Sequence, residues 1–410
     1  MKQVDIVRPC NINAIVGPIS TLKRILKNKD YFFERGYNPS LFVNESIALQ
    51  RPVEISDAKV VVGGNQKISF KGRVYNKLSL WGKHNYPLAC WLMRNYYKVT
   101  ERLVDYYISL DRTPDIVEFH SERECYLYLT QRKEHKAQTV VFLHSDGIPF
   151  AMDLVYYPCL TNSRFYKKIW KQIEWTMEHV DKIVFIAQKG QDNFLKLFPN
   201  IPPEKTFVML NGIEDLTAEQ KEEVEEIRRR DFKFKYRLCC TGTINTRKGH
   251  LYIIEALNRI SKDKLANIHL DFLGEGPQRM VLEDLVKQYG LENHVKFYGS
   301  VPNVEVYRHL AENNIYILMS QNEGLPISII EAMRAELPVI STRVAGIPEI
   351  VKDGYNGLLL NPSTDDLIPV LENIDRYNWK EMGKMSRERF QNELTFERMK
   401  KDFCDMFDIL

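Results

Sequence analysis

The sequence has no run of about eighteen uncharged apolar residues, so no transmembrane helix is expected. It has no Cys-x-x-Cys pair, and its seven cysteines (Cys10, Cys90, Cys125, Cys159, Cys239, Cys240 and Cys404) are scattered and odd in number. That usage fits a reducing compartment and argues against a structural zinc site. Met1–Cys10 carries Asp5 and no long apolar stretch, which speaks against a secretory signal. A P-loop is missing, because the Gly-x4-Gly-Lys-Ser/Thr spacing occurs nowhere. Internal repeats and low-complexity tracts are also lacking. What remains is an ordinary globular composition, 44% hydrophobic and 27% charged, over 410 residues. A single core rarely grows past about 250–300 residues, so two domains are expected.

The net charge of +3 is unevenly spread. Residues 1–200 hold 29 Lys and Arg against 20 Asp and Glu, and residues 51–100 hold nine against two. The first half is either built to meet something anionic or has a solvated basic face. In the second half, short apolar strands alternate with helical segments of about ten residues. Strands are expected at Arg237–Thr241, Ile268–Leu273, Val295–Tyr298, Ile315–Met319 and Pro338–Ser341. Helices are expected at Leu251–Ile260, Met280–Tyr289, Val304–Ala311 (capped by Asn303) and Ile327–Arg334. That alternation implies βαβ units and a parallel sheet. The first half repeats the theme less cleanly. Ile12–Val16, Leu41–Val43, Ile116–Phe119, Thr139–Leu143 and Lys182–Ala187 read as strands, with helices over Ser20–Lys27 and from about Lys189 to Leu197. The fold class is therefore α/β with two doubly wound domains, 1–205 and 206–384. The linker is expected near Asn211–Phe234, which holds the charged run Glu219–Asp231. An amphipathic helical segment from about Trp379 to Leu410 has Met382, Met385, Phe390, Phe403 and Phe407 to bury, and its part from about 385 rejoins the first domain.

In open α/β sheets, ligands bind beyond the carboxyl ends of the strands. Residues just after strands therefore carry the information. Ser320–Pro326 (SQNEGLP) runs into Ile327–Met333, with Glu323 on the loop and Glu331 inside the helix. Gly324 and Leu325 lie where backbone can approach a ligand, and Pro326 suits the first helical turn, whose free N–H groups favour an anion. A carboxylate at Glu331 needs partners, and the vicinal hydroxyls of a ribose would serve. The alternative is a cap acid at Glu323 and an exposed Glu331. Gly242–Gly249 (GTINTRKG) places Arg247 and Lys248 after a strand, where they could grip a diphosphate or merely cap a helix. Gly274-Glu275-Gly276-Pro277 and Val344–Glu349 are explained equally by turns. His144 directly follows a strand, beside Ser145-Asp146-Gly147, and Gly17 leaves room near a strand end.

Taken in order, these segments resemble the retaining glycosyltransferases of family four, which have the GT-B fold: two Rossmann-like domains facing across a cleft. The likeness is dense from about Lys205 to Leu360 and thinner from about Asn11 to Gly190. Asn211-Gly212-Ile213 looks like the family's segment at the domain junction. The resemblance implies a nucleotide-diphosphate sugar donor, with UDP the expected nucleotide and no cofactor. It implies that Lys248 grips the donor diphosphate, that Glu331 holds the ribose, and that Glu323 and His144 face the transferred sugar. Gly17, Thr243, Gly274, Gly276, Gly324, Leu325 and Pro326 would complete the donor pocket. The family's usual arginine is replaced by Thr243, and Arg247 is expected to supply the missing charge. Val16 and Ala345 stand where glycines are common. Metal-dependent transferases use an Asp-x-Asp pair; none is present, and no metal is expected.

The acceptor side is legible only as chemistry. Lys67–Lys98 mixes Lys and Arg with Phe70, Tyr75, Trp81, Tyr86, Trp91, Tyr96 and Tyr97. That suits a glycan, polymer or lipid-linked acceptor, with peripheral contact at an anionic membrane, unless the aromatics are core. The expected place is the cytoplasm, at the inner face of the plasma membrane, in assembly of a bacterial surface polysaccharide. Rival readings are a nucleotide-sugar epimerase on the same fold and a catalytically silent partner protein. No nucleic-acid motif is present.

Overall fold

The computed structural model describes residues 1–13, 17–58, 78–132 and 137–410, with Gly17, Pro18 and Met152 described by backbone alone. Val16, Lys67, Phe70 and Tyr75 lie outside the described residues. The chain divides into two compact units. The N-terminal unit comprises the described residues of 1–210 together with Lys400–Leu410, and the C-terminal unit is Asn211–Met399.

The N-terminal unit is built on six parallel strands: β1 (Lys2–Val7), β2 (Tyr37–Phe42), β3 (Ile116–Phe119), β4 (Gln138–Leu143), β5 (Lys182–Phe185) and β6 (Thr206–Val208). Their order is β2-β1-β3-β4-β5-β6. The strand order reverses between β1 and β3, which makes their carboxyl ends the natural place for a ligand. The first strand is Lys2–Val7 rather than Ile12–Val16, whose described part, Ile12–Asn13, forms a turn. Asp5 made the opening residues look polar, yet it is fully buried inside β1. Its carboxylate accepts from Arg112 Nε (2.7 Å) and Nη2 (3.0 Å), from the Tyr107 hydroxyl (2.9 Å) and from Gln3 Nε2 (3.0 Å). A buried carboxylate is tolerable when its lone pairs are met in this way.

Tyr107 belongs to the helix Tyr86–Ser109, which starts where Asn85 Oδ1 accepts from the Leu88 N–H and Pro87 occupies the first turn. Leu92, Met93, Leu103, Val104 and Tyr107 form its buried face. Of the described aromatics between residues 81 and 97, Tyr97 alone is core; Trp81, Tyr86, Trp91 and Tyr96 are exposed.

The C-terminal unit carries β7 (Tyr236–Thr241), β8 (Ile268–Leu273), β9 (Val295–Gly299), β10 (Ile315–Leu318), β11 (Val339–Thr342) and β12 (Gly357–Leu360). They are parallel in the order β12-β11-β10-β7-β8-β9, so the reversal falls between β7 and β10. The expected strands here lie within a residue or two of the observed ones. Two expectations fail. Much of the charged run Glu219–Asp231 is helix, Ala218–Arg228, whose Thr217 cap accepts from the Gln220 N–H and whose Val224 and Ile227 bury against Tyr307 and Ala311. Asn303 caps nothing, because a turn closed by Glu305 N–H to Pro302 O (2.8 Å) delays the next helix to Val306–Glu312.

Ile213 and Thr395, nearly at opposite ends of this unit's sequence, pair as an isolated parallel bridge. Gly212 is required there, since a Cβ on it would come within 2.4 Å of the Thr395 carbonyl oxygen. The helix Phe396–Asp408 then carries the chain back to the N-terminal unit. There Phe403 meets Phe32 and Phe142, with ring centroids at 6.3 and 5.6 Å, and Phe407 meets Tyr37 at 5.2 Å.

Arg112→Ala should destabilise the N-terminal unit by about 3 kcal/mol, because it strands a buried charge. Four of the five tryptophans (Trp81, Trp91, Trp170 and Trp175) lie in that unit. A melt followed by tryptophan fluorescence therefore reads the loss, and an unchanged midpoint would contradict the role given to the pair.

Candidate active site

In the C-terminal unit, the loops after β7 and β10 flank the strand-order reversal. The β7 strand ends at Gly242, with φ +130°, and a Cβ there would lie 3.9 Å from Lys248 Nζ. Asn245 Oδ1 accepts from the Lys248 N–H (3.2 Å) and sets the single turn Thr246–Lys248. Gly249 follows at φ +69°, where a Cβ would collide with the Met319 carbonyl oxygen at 1.9 Å, so only glycine closes this turn against β10.

The turn delivers two cations to one carboxylate. Lys248 Nζ lies 2.7 Å from Glu323 Oε1 and Arg247 Nη1 lies 2.9 Å from Glu323 Oε2. Ser320 Oγ donates to Glu323 Oε1 (2.8 Å), and Arg247 Nη1 also donates to the Asn322 carbonyl (2.7 Å). Lys248 and Glu323 are both buried. Burial alone would raise the Glu323 pKa, but Lys248 and Arg247 outweigh it and hold the carboxyl below its ordinary value. The cluster thus has two positive charges and one negative, a surplus suited to an anion. The Glu323 loop is tied down by Gln321 N–H to Arg247 O (2.8 Å), Asn211 Nδ2 to Leu325 O (3.1 Å) and Gly346 N–H to Gly324 O (3.0 Å).

The other candidates of this unit fall into two groups. Gly274 and Gly276 let the loop after β8 lie on the loop after β7: Cβ atoms there would come within 1.9 Å of Gly242 O and 2.1 Å of Ile244 O. Their visible role is thus close packing of backbone. Thr243, Gly324, Leu325 and Pro326 lie on the two loops that bracket the cluster, and Glu331 is half-buried on the helix Ile327–Arg334. Ala345, where the resembled family often has glycine, adopts φ +45°, a left-handed conformation that explains that preference.

In the N-terminal unit, Gly17 opens the helix Gly17–Lys27. His144 follows β4 and is half-buried. Its Nε2 is 2.7 Å from Nδ1 of His120, which follows β3. The ring centroids are 5.0 Å apart and the planes within 10°, so the rings lie edge to edge along the bond. His120 Nε2 is in turn 2.9 Å from Glu118 Oε1. Burial and Arg8 push His144 down to about 3, and burial, His144 and Arg8 push His120 well below its ordinary value, so both imidazoles are neutral. Arg8 Nη1 donates to the His120 carbonyl (2.6 Å). Sequence reasoning missed His120, Glu118 and Arg8. The signal was present: residue 120, just past the strand that carries residue 118, keeps the two-residue spacing of one strand face.

A groove with a volume of about 730 Å³ runs along the outside of the same unit, between the helices Glu122–Gln131 and Arg164–His179. Arg164, Lys168, Lys171 and Trp175 line it at helical spacing, with Lys167 beside them and Tyr126 opposite. Among the described residues, no group of three or more His, Cys, Asp or Glu is placed to hold a metal ion. No described helix is long and apolar enough to cross a membrane.

Two family models match the chain: Glycosyltransferase Family 4 over residues 34–215 and Glycosyl transferases group 1 over residues 223–372. Among curated relatives, an uncharacterized glycosyltransferase of Methanocaldococcus jannaschii is 28% identical over 256 residues, 60% of this chain and 63% of the relative. WcaL of Escherichia coli, named for colanic acid biosynthesis, is 27% identical over 41% of this chain and 43% of its own length. An uncharacterized protein of the Klebsiella pneumoniae cps region is 21% identical over 69% of this chain and 82% of its own length. Thus the chain spans less than two thirds of the length of the first two of these relatives. Solved structures include Anabaena HepE in complex with UDP (TM-score 0.64, 16% identity, all of both chains). Another is the sucrose-phosphate synthase of Thermosynechococcus elongatus (TM-score 0.68, 16% identity, 100% of this chain and 98% of that one). These likenesses establish the GT-B fold.

The pH-dependent contribution of the Glu323 pairing is fully present at neutral pH and is lost as pH falls through its depressed pKa. Lys248→Met lifts that pKa. Acid melting profiles from about pH 7 to pH 3 should show the variant losing stability at a higher pH than the wild type. Superimposable profiles would mean that Lys248 does not hold Glu323.

Proposed function

The chain belongs to the group 1 glycosyltransferase family, and on that footing we propose that it transfers a sugar from a nucleotide-diphosphate donor to an acceptor hydroxyl with retention of configuration. The observation that carries the reading is the Arg247–Glu323–Lys248 cluster, with Lys248 and Glu323 buried, beside the strand-order reversal of the C-terminal unit. Its surplus positive charge suits the diphosphate that departs in the reaction, and preorganised cations at developing charge are the largest single source of rate in such chemistry. Glu331 takes the ribose hydroxyls and Glu323 the transferred sugar. The acceptor oxygen bonds to the anomeric carbon on the face that the diphosphate leaves, and the hydroxyl proton passes to the leaving diphosphate oxygen. Arg247 and Lys248 carry the charge of that step, and the reading requires no metal. UDP is the nucleotide proposed; structures of HepE with UDP and with UDP-glucose are consistent with it. Relatives from the colanic acid and cps systems favour polysaccharide assembly as the setting.

On the acceptor side, we assign the cationic groove of the N-terminal unit to an anionic glycan or lipid-linked acceptor. Four cations, Arg164, Lys167, Lys168 and Lys171, line a concavity that also offers Trp175 and Tyr126 as ring surfaces. Peripheral contact at an anionic membrane, on the cytoplasmic face, belongs to the exposed Trp81, Trp91 and Tyr96, with Arg94 and Lys98 beside them.

A thermal-shift screen with UDP, GDP and ADP, with and without a chelator, tests the donor site. UDP at about 100 times its dissociation constant should stabilise the fold by about 2.7 kcal/mol, with no effect of chelator. In turnover assays Lys248→Ala should lower kcat by about 10²–10³-fold, and proton NMR of the product should show the donor's anomeric configuration. Full activity of Lys248→Ala would remove the cluster from the mechanism. Lys168→Glu/Lys171→Glu should raise KM for an anionic acceptor while leaving UDP binding unchanged. An unchanged KM would place the acceptor elsewhere.

A further inference from the structure

In the N-terminal unit, Glu118 is fully buried on β3, and among the described residues neither carboxyl oxygen has an aligned hydrogen-bond partner. His120 Nε2 lies 2.9 Å from Oε1 and likewise has no aligned partner. The contact is short but falls outside hydrogen-bond geometry as it stands. A buried, unmet carboxyl is costly, and such groups are kept neutral or kept for a purpose. Here the neighbour points to the purpose. His120 turns its other nitrogen to His144 at 2.7 Å, in the plane of both rings, and His144 is only half-buried. Three groups thus stand in one row, from a sealed carboxyl to a ring that reaches the end of the sheet.

We propose that Glu118 and His120 are positioning residues that set which nitrogen of His144 carries its proton. With Glu118 protonated and its carboxyl turned to align the 2.9 Å contact, its O–H donates to His120 Nε2, His120 Nδ1–H donates to His144 Nε2, and His144 presents Nδ1–H as a donor. With Glu118 ionised, His120 donates Nε2–H to the carboxylate and accepts from His144 Nε2–H, and His144 Nδ1 becomes a bare acceptor. The change conserves atoms. The Glu118 proton moves to His120 Nε2, the His120 Nδ1 proton moves to His144 Nε2, and the His144 Nδ1 proton leaves to solvent. A carboxyl sealed from water thereby exchanges its proton through two imidazoles.

The electrostatic surroundings select the first arrangement at neutral pH. Burial alone pushes Glu118 up to about 8. Arg8, at the end of β1, is the charged side chain acting on both rings and keeps them from taking a second proton. Glu124, on the helix after β3, is raised to about 7 by burial, less the effect of Arg8, and takes a bond from the His120 backbone. From β4 the row meets Phe142, which stacks on His120 at 5.2 Å, and behind it Phe403 of the last helix; both are uncharged. The inference rests on the transferase reading only for its consequence: an Nδ1–H donor at His144 holds a sugar oxygen that accepts, whereas the bare nitrogen holds only a hydroxyl that donates, so the two tautomers orient a sugar differently.

The direct test is nitrogen-15 NMR of histidine-labelled wild-type protein, which reports the tautomer without any turnover. His144 should be the Nδ1–H tautomer at pH 7 and convert to Nε2–H as pH rises through about 8, where Glu118 loses its proton. An Nε2–H tautomer throughout, or a doubly protonated ring at pH 7, would overturn the proposal. The second test is the pH profile of kcat/KM. The wild type should fall about tenfold per pH unit above the Glu118 pKa. Glu118→Gln keeps an N–H donor toward His120 and should remain flat across that range with its neutral-pH activity retained. A fall in Glu118→Gln identical to that of the wild type would also overturn it. If the tautomer switches as described but no sugar transfer is found with any nucleotide sugar, the relay stands and the proposed function fails.

Discussion

The arrangement of the C-terminal unit depends on keeping one carboxylate ionised where water is scarce. Glu323 lies in a buried loop, and its charge is affordable only because Lys248 and Arg247 reach it from the neighbouring loop. That requirement propagates outward. The cations reach it because Asn245 folds the chain into one tight turn and Gly249 lets that turn close on the backbone of Met319. Gly274 and Gly276 then allow the third loop to lie flat on the first. Three loops are therefore stacked backbone on backbone, and their side-chain chemistry is concentrated at one ion cluster. Such a cluster contributes little net stability once desolvation is counted. Its persistence makes more sense as a rigid, charged floor for an anion.

The sequence was most legible where local chemistry alone decides structure. In the C-terminal unit, strands buried on both faces appear as apolar runs and glycine marks their ends, so strand positions, and Glu323 and Lys248 just beyond them, could be picked out directly. The N-terminal unit was less legible because its polar core is solved at long range. Asp5 reads as a surface residue until Arg112 and Tyr107, more than a hundred positions away, are seen around it. The same holds for Glu118 and His120, which look like interruptions in an apolar strand. Their meaning appears only when β3 and β4 are side by side. The run Glu219–Asp231 failed for the opposite reason: its charge hid the two apolar residues, Val224 and Ile227, that seat a helix.

The two units use the same sheet architecture differently. In the C-terminal unit the reversal of strand order brings together opposite charges that neutralise in part. In the N-terminal unit the neighbouring strands β3 and β4 bring together groups held neutral, two imidazoles and a carboxyl, and the reversal sets a single arginine, Arg8 after β1, beside them. Charge matching suits the holding of an anion, whereas a row of neutral donors and acceptors suits the orientation of hydroxyl groups.

The bridge between Ile213 and Thr395 and the final helix together make the first unit discontinuous. Eleven residues from the far end of the sequence supply Phe403 and Phe407 to a core otherwise built from the first half. During synthesis from the N-terminus, that half must wait, with the site for those two rings uncovered, while nearly two hundred residues of the second unit are made. The second unit can close its own sheet in the meantime. The order of birth is thus the reverse of the order of completion, and a nascent chain has its cation-bearing floor before the histidine row is fully enclosed.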